Sequence, residues 1–331
     1  MAKPAGKKKS SREIEDDKPF TMVLPDEVKR FIKEGGLFAV SHSAGKDSQA
    51  MLLAMLKAGI PKEQMVLVHA DLGDVEWEGN IDHIKANSFG IPLIVAEPKS
   101  DFWTMVNRRQ MFPSPSQRQC TSDLKRGPIE RELRRYLKEN PQFGGKVINC
   151  MGMRAAESAA RAKRPTFIYS KSNSKAGREW YDWLPIHAMS TKDVFRFIQA
   201  EGQKPHPAYS LGMSRLSCCF CIMANQKDLT IAAKANPELY GRYVELERQI
   251  DHTLAMSRKF LPEVTGMTPE QALEQAVRLG EGPDMLPDHG DFDFSVFDSD
   301  DALPCDLSFS EDESEDLSDE EKADIQMAFD F

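Results

Sequence analysis

The chain has 331 residues, 40% of them hydrophobic, and a formal net charge of −9. No apolar run approaches the roughly 18 residues that a membrane span needs, and the Lys-rich N-terminus has no apolar segment of the signal-peptide kind behind it, so no membrane association and a cytoplasmic location are expected. Six cysteines in a chain of this length make no disulfide scaffold and read as thiols or ligands in a reducing compartment.

The net charge hides two opposite parts. Residues 282–331 carry 18 acidic side chains against Lys322 alone, or −17, which leaves +8 on residues 1–281. Four segments are expected: a disordered basic arm (1–19), a nucleotide-binding domain (20–230), a helical extension (231–281) and a disordered acidic tail (282–331). The arm contains Lys7-Lys-Lys-Ser-Ser-Arg12 and almost no apolar residue, so it reads as a solubilising tail or a nucleic-acid contact.

Pro25–Lys33 is predicted to open the domain as a short helix. Leu37–Val40 reads as a buried strand that ends in a small-residue turn with Ser41, Ser43, Ala44 and Gly45. An apolar helix, Asp47–Lys57, follows at once. Such a strand–turn–helix aims unpaired amides and the positive end of a helix dipole at one point, an anion site. Lys46 adds a charge, and Ser43 and Ser48 add hydroxyls. A Walker loop is excluded because Val40 holds the first glycine position and Asp47 follows the lysine. No G-x-G-x-x-G is present.

Further strands are predicted at Gln64–Ala70, Ile91–Val95 and Lys146–Cys150, with helices at Glu76–Ser88 and Leu124–Glu139. This alternation implies an α/β fold, a parallel sheet with helices on both faces, and a ligand site beyond the carboxyl ends of the strands. Asp71 stands at such an end and reads either as a contact to a ligand or its metal, or as a helix cap. After the fourth strand comes Cys150-Met-Gly152-Met-Arg154-Ala-Ala-Glu157-Ser158-Ala-Ala-Arg161. The pattern predicts a strand end, a glycine and a helix with Arg154, Glu157, Ser158 and Arg161 on one face. Two arginines aimed at one point suit phosphate or sulfate; the plain alternative is a surface Arg–Glu ladder.

Nine basic residues fall between Arg108 and Lys138, a density that fits a grip on DNA or tRNA, a wall of a small-ligand pocket, or a solvated helix face. Farther on, Thr191–Ala200 is a predicted helix capped by Ser190. Gln226–Ala255 is helical with a break at Asn236-Pro237, and Thr268–Leu279 is a last helix with Pro269 in its first turn. Cys120, Cys218, Cys219 and Cys221 form the candidate metal set. Four thiolates suit an iron–sulfur cluster or zinc, although Cys218 and Cys219 do not easily share one site, so a three-cysteine cluster is equally open, as are idle thiols. His42, His187 and His206 border these segments without the spacing of a nucleophile partner.

Ser43-Ala-Gly-Lys-Asp-Ser48 resembles the Ser-Gly-Gly-x-Asp-Ser pyrophosphate loop of the adenine nucleotide α-hydrolase-like superfamily, with Ala44 in place of the first glycine. That group holds ATP pyrophosphatases, ATP sulfurylases and phosphoadenosine phosphosulfate (PAPS) reductases. The Gly152–Arg161 stretch is similar to the Gly-x-Arg-x-x-Glu-Ser-x-x-Arg of PAPS reductases, and Trp183, Pro185 and Ile186 to their Trp-x-Pro-Ile. The resemblance implies ATP or PAPS as the ligand, with magnesium if ATP. It makes Lys46, Asp47 and Arg154 catalytic candidates, and places Ser41, Ser43, Ala44, Gly45, Ser48, Asp71, Gly152, Glu157, Ser158 and Arg161 around the nucleotide. Thiol-dependent PAPS reductases carry Glu-Cys-Gly-[Ile/Leu]-His near the C-terminus. This chain has only Cys305, in acidic surroundings that disfavour a thiolate. The expectation is therefore ATP-dependent adenylation and sulfur transfer with pyrophosphate release, to an acceptor such as a nucleic acid, from a sulfur-donor protein. The alternatives are a sulfonucleotide reductase releasing sulfite, and a non-catalytic binding protein acting through the acidic tail. Oligomeric state is left open.

Overall fold

The computed structural model describes residues 20–279 and 292–294. The expected arm at 1–19, Cys305 and the expected tail apart from residues 292–294 lie outside the described residues.

Strands β1 (Leu37–Ser41), β2 (Met65–Ala70), β3 (Leu93–Ala96), β4 (Lys146–Cys150), β5 (Phe167–Tyr169) and β6 (Glu179–Trp183) form one sheet in the order β3-β2-β1-β4-β6-β5. Every pairing is parallel except that of β5 with β6, which is antiparallel and makes the sheet edge. The longer helices are α1 (Asp26–Glu34), α2 (Lys46–Lys57), α3 (Asn80–Ala86), α4 (Phe102–Arg109), α5 (Gly127–Glu139), α6 (Thr191–Ala200), α7 (Gln226–Ala235), α8 (Pro237–Ile250) and α9 (Pro269–Leu279).

Strand side chains alternate between faces, and both faces are covered. Leu37 and Ala39 join Val66, Val68 and Val147 in a core closed by Ile129, Leu133 and Leu137 of α5. Phe38, Val40, Leu67 and Ile148 point the other way, against Phe31 of α1, Met51 and Leu52 of α2 and Phe195 of α6. This is why the strands read as unbroken apolar runs.

The chain leaves β1 towards β2 on one side, while β4 lies on the other. The sheet order therefore reverses between β1 and β4, and a crevice opens beyond their carboxyl ends. The turn after β1 and the segment after β4 meet there. A Cβ placed on Gly152 meets the carbonyl carbon of Asp47 and the amide nitrogen of Ser48 at 3.1 Å. Only a glycine lets β4's exit lie this close to the start of α2.

Several elements differ from the sequence expectation. The helix expected over Glu76–Ser88 is confined to Asn80–Ala86, because Gly79 turns the chain with φ of 78° just before it. The helix expected from Leu124 starts earlier, as a wide turn over Ser122–Arg126 that runs into α5. The helix expected to carry Arg154 through Arg161 does not form. A single tight turn, Ala155–Glu157, is separated from a four-residue helix, Ala159–Ala162, by Ser158 in a fully extended conformation. Its hydroxyl caps the second piece by accepting from the Arg161 amide, so local capping wins over continuation. The helix α4 and strands β5 and β6 were not anticipated. The break at Asn236-Pro237 separates α7 from α8 as the proline requires.

Tyr243 of α8 packs against Phe102, Trp103, Phe112 and Phe220, which fastens the C-terminal helices to α4 and to the cysteine segment. Replacement Gly152→Ala is expected to lower the unfolding free energy by about 1–3 kcal/mol, the range for overpacking. Urea denaturation measures this, and an unchanged midpoint would show that the loop yields without cost.

Candidate functional site

The turn after β1 is built by its own side chains. Ala44 is buried and adopts φ of 61°, a left-handed conformation that normally calls for glycine. It is held there because its amide donates to Nδ1 of His42 at 3.1 Å. The Ser43 amide donates to Oγ of Ser48 at 3.2 Å, and that hydroxyl donates to the Gly45 carbonyl at 2.8 Å. The Lys46 amide donates to the Tyr209 hydroxyl at 3.1 Å. The amides of Gly45, Asp47 and Ser48 have no acceptor among the described residues. They lie at the start of the 12-residue helix α2, whose dipole favours an anion.

Lys46 and Arg154 are almost wholly buried, at 4% and 2% exposure. The Asp47 carboxylate lies between them: one oxygen accepts from Lys46 Nζ at 3.0 Å, the other from Arg154 Nε at 2.6 Å. Burial alone raises a carboxyl pKa, but the two cations prevail and hold that of Asp47 down to about 2. The remaining Arg154 donors reach the Met189 carbonyl and Thr191 Oγ1, each at 3.2 Å. Arg154 was expected to aim at a ligand together with Arg161; instead its guanidinium is engaged by protein and fastens α2 to the entry of α6.

Arg161 lies apart from that group and pairs with Glu157 at 2.6 Å. A second Glu157 contact accepts the Arg154 amide at 2.8 Å. Asp71 accepts from the Gly73 amide at 2.8 Å through one carboxylate oxygen and so shapes the turn after β2. Ser41 donates to Asn149 of β4 at 3.2 Å.

The cysteines separate into two kinds. Cys120, Cys218 and Cys221 interact electrostatically with one another and with Lys125. Cys219 is turned into the core, its amide bonded to the Val75 carbonyl at 2.9 Å. Burial pushes the Cys218 thiol up to about 12 and also raises Cys120. Burial acts on Cys221 too, yet Arg215, the Met223 amide and Lys125 outweigh it and favour its thiolate. Burial depresses Arg118, and the neighbouring charges of Arg161 and Arg215 add to this, while Cys120 and Cys221 act the other way. Among the described residues no three His, Cys, Asp or Glu side chains converge on a point that would hold one metal ion.

Tyr209 connects the two halves of the site. Its hydroxyl accepts from the Lys46 amide and, at 3.2 Å, from the Leu216 amide, two residues before Cys218. Leu216 also lies against Gly45. Phe195 meets Tyr209 edge-on at 5.6 Å, and both rings lie beneath Lys46 Nζ. Phe292 stacks on the outer side of Phe195 at 6.2 Å. Tyr209, Lys125, Arg118 and Arg215 were not singled out as site residues from the sequence. Their only signal was position, within a few residues of the cysteines.

The sequence profile described as the phosphoadenosine phosphosulfate reductase domain matches residues 38–224, more than half of the chain. The chain belongs to the PAPS reductase family. Among curated proteins, an uncharacterized 37.8 kDa protein of Escherichia phage 186 is 32% identical over 139 residues, which cover 42% of this chain and 40% of the phage protein. Among solved structures, PAPS reductase from Candida auris in a phosphate complex has a TM-score of 0.37 at 15% identity, covering 65% of this chain and 98% of that one. FMN adenylyltransferase from Candida glabrata also has a TM-score of 0.37, at 14% identity, covering 56% and 54%. No helix among the described residues is long and apolar enough to cross a membrane.

Two expectations follow from the electrostatics. His42 is buried behind the loop, and burial with His83 and His69 nearby lowers its pKa from 6.5 to about 3. The folded state therefore accepts only neutral His42. Stability is full above pH 6.5 and falls between 6.5 and 3 by about 1.4 kcal/mol per pH unit from this residue, because only the unfolded chain takes up the proton. His42→Asn keeps an acceptor for Ala44 and is expected to flatten that slope in urea titrations run across this range. An identical slope in both proteins would remove His42 as its source. Second, a brief iodoacetamide pulse on metal-free protein, read by peptide mass spectrometry, is expected to label Cys221 ahead of Cys218, with Cys219 and Cys150 protected by burial. Equal labelling of Cys218 and Cys221 contradicts the charge assignment.

Proposed function

We propose that this chain binds ATP at the Ser41–Ser48 loop and activates an acceptor for sulfur transfer. The observation that carries this reading is the Tyr209 hydroxyl, which ties the nucleotide loop at Lys46 to the cysteine segment at Leu216. A nucleotide and a sulfur centre held by one phenol fit a reaction that uses both.

In this scheme an acceptor oxygen attacks the α-phosphorus of ATP and pyrophosphate leaves. Sulfur at the sulfide level then attacks the acceptor atom that bears the adenylated oxygen, forming the bond to sulfur as the bond to that oxygen breaks, and AMP departs carrying the oxygen. The protein's part is positioning and charge stabilisation. The Gly45, Asp47 and Ser48 amides and Lys46 would receive the departing pyrophosphate. Magnesium would accompany ATP, with Asp71 as its candidate carboxylate. Arg154 serves as a positioning residue that holds Asp47, and so the amides of α2, in place.

Cys120, Cys218 and Cys221 are the residues that would hold an iron–sulfur cluster. Three thiols from two segments with a cationic wall of Lys125, Arg118 and Arg215 suit its negative charge, and Cys219 is left to the core. When bound, such a cluster carries or activates the incoming sulfide. The second reading is a sulfonucleotide reductase that releases sulfite.

Calorimetry with ATP and with PAPS, followed by assays of pyrophosphate release from ATP and sulfite release from PAPS, tests the reading. ATP binding is expected, with Lys46→Ala weakening it by about 10–100-fold, the loss of one buried charge-assisted contact. Sulfite release from PAPS, or no ATP binding by folded protein, would sink the proposal.

A further inference from the structure

A cavity of about 510 Å³ opens between α4, the loop before it and the start of α5. Its volume falls in the range of about 300–1,000 Å³ typical of ligand pockets. Five cations line it, namely Lys99, Arg108, Arg109, Arg131 and Arg134, against the single carboxylate of Asp123. Two of the five are already engaged. Arg131 pairs with Glu132 and donates to the Glu97 carbonyl, while Arg134 bonds Glu130 and Asn173. The other three have no carboxylate partner among the described residues. Lys99 and Arg108 make no hydrogen bond or ion pair there. Arg109 reaches Gln117 and Met111 through Nη2 only. Its Nη1 is buried with no acceptor, which is costly for a charged donor unless something from outside supplies an oxygen.

We propose that this cavity seats the phosphodiester backbone of a nucleic-acid strand, the acceptor of the sulfur-transfer reaction. The inference rests on the function proposed above for the reaction, but its charge argument is independent of the nucleotide loop. The cations come from a loop and two helices, Lys99 ahead of α4, Arg108 and Arg109 at its end and Arg131 and Arg134 on α5, and several cations along one cavity suit successive phosphates. Guanidinium groups, the majority here, match phosphate oxygens in pairs. The cavity also has a direction. Gln119 and Ser122 line it, and Cys120 lies between them. A strand gripped by its phosphates at Arg108 and Arg109 therefore passes beside the thiol segment, and base-specific contacts are not needed for that placement.

Fluorescence anisotropy of the full chain with fluorescein-labelled DNA and RNA oligonucleotides of one sequence, titrated across salt, tests this. The tighter of the two identifies the acceptor's sugar. Log affinity is expected to fall linearly with log salt, and the variant K99Q/R108Q/R109Q to lose roughly 10-fold or more in affinity and about two to three units of slope, close to 0.9 per phosphate contact. Its ATP affinity and thermal midpoint are expected to stay as in the parent. A control, K62Q/K85Q/K234Q, alters exposed lysines elsewhere and is expected to keep most of the slope. Arg108→Glu, a change at one exposed side chain, repeats the test without touching the cavity's buried part. Parental binding by the cavity variants, an equal loss in the control, or no oligonucleotide binding overturns the proposal. Displacement of the oligonucleotide by inorganic phosphate at matched ionic strength makes the cavity a small-anion site and overturns it as well. Loss of ATP binding with oligonucleotide binding intact would instead count against the nucleotide reading alone.

Discussion

A carboxylate held between two buried cations governs the site. Asp47 takes Lys46 on one oxygen and Arg154 on the other, and Arg154 continues to the Met189 carbonyl and Thr191. Four chain segments are fixed by this ladder: the turn after β1, the start of α2, the exit of β4 and the entry to α6. Charges this deeply buried persist only when paired and hydrogen-bonded, and removing one partner of such a group costs about 3–5 kcal/mol. The three side chains together leave one positive charge, placed at the N-terminal end of α2. That residual charge and the helix amides form one anion-attracting locus.

The same locus is joined to the cysteines by neutral contacts. Tyr209 spends its hydroxyl on two amides, and its ring packs under Lys46 with Phe195. The start of α2 and Leu216, two residues before Cys218, therefore share one hydroxyl. The loop itself is less relaxed than a glycine-rich one. Ala44 sits in a left-handed conformation that costs about 1–2 kcal/mol for an L-residue, offset by the His42 acceptor and by burial of its methyl group. His42 can play that part only when uncharged, which links the loop's shape to the protonation state of its support.

Beyond the thiols the surface turns basic. Lys125 and Arg118 belong to the cysteine cluster, and within a few residues Arg131 and Arg134 reach the cavity shared with α4. Aromatic packing of Tyr243 on Phe102 and Trp103 fixes α4 to the C-terminal helices, so these helices help to set the position of Arg108 and Arg109. The loop after β1 is joined to the thiol segment through Tyr209, and the thiol segment at Cys120 lies beside the basic cavity. Phe292 stacks on Phe195, the ring that also lies beneath Lys46.

Local patterns were enough for the four parallel strands β1 to β4. Runs such as Leu37–Val40 and Lys146–Cys150 can be buried on both faces only in a parallel sheet, and Ser43–Ser48 placed the anion site at the end of the first of them. The family assignment was likewise legible, since it rests on motifs contiguous in the chain. The segment from Arg154 to Arg161 was not, because helical spacing does not reveal that Ser158 will cap instead of continuing. Edge strand β5, only three residues long, was too short to stand out, and in β6 Glu179 and Asp182 interrupt the apolar run. The sequence by itself determined the strand–turn–helix and the residues near its anion site, because backbone geometry and hydrophobic period are local. Tertiary structure alone decided that Arg154 serves Asp47, that Cys219 leaves the other thiols, and that Tyr209 joins the two halves, because each depends on which distant group fills the space around a buried charge.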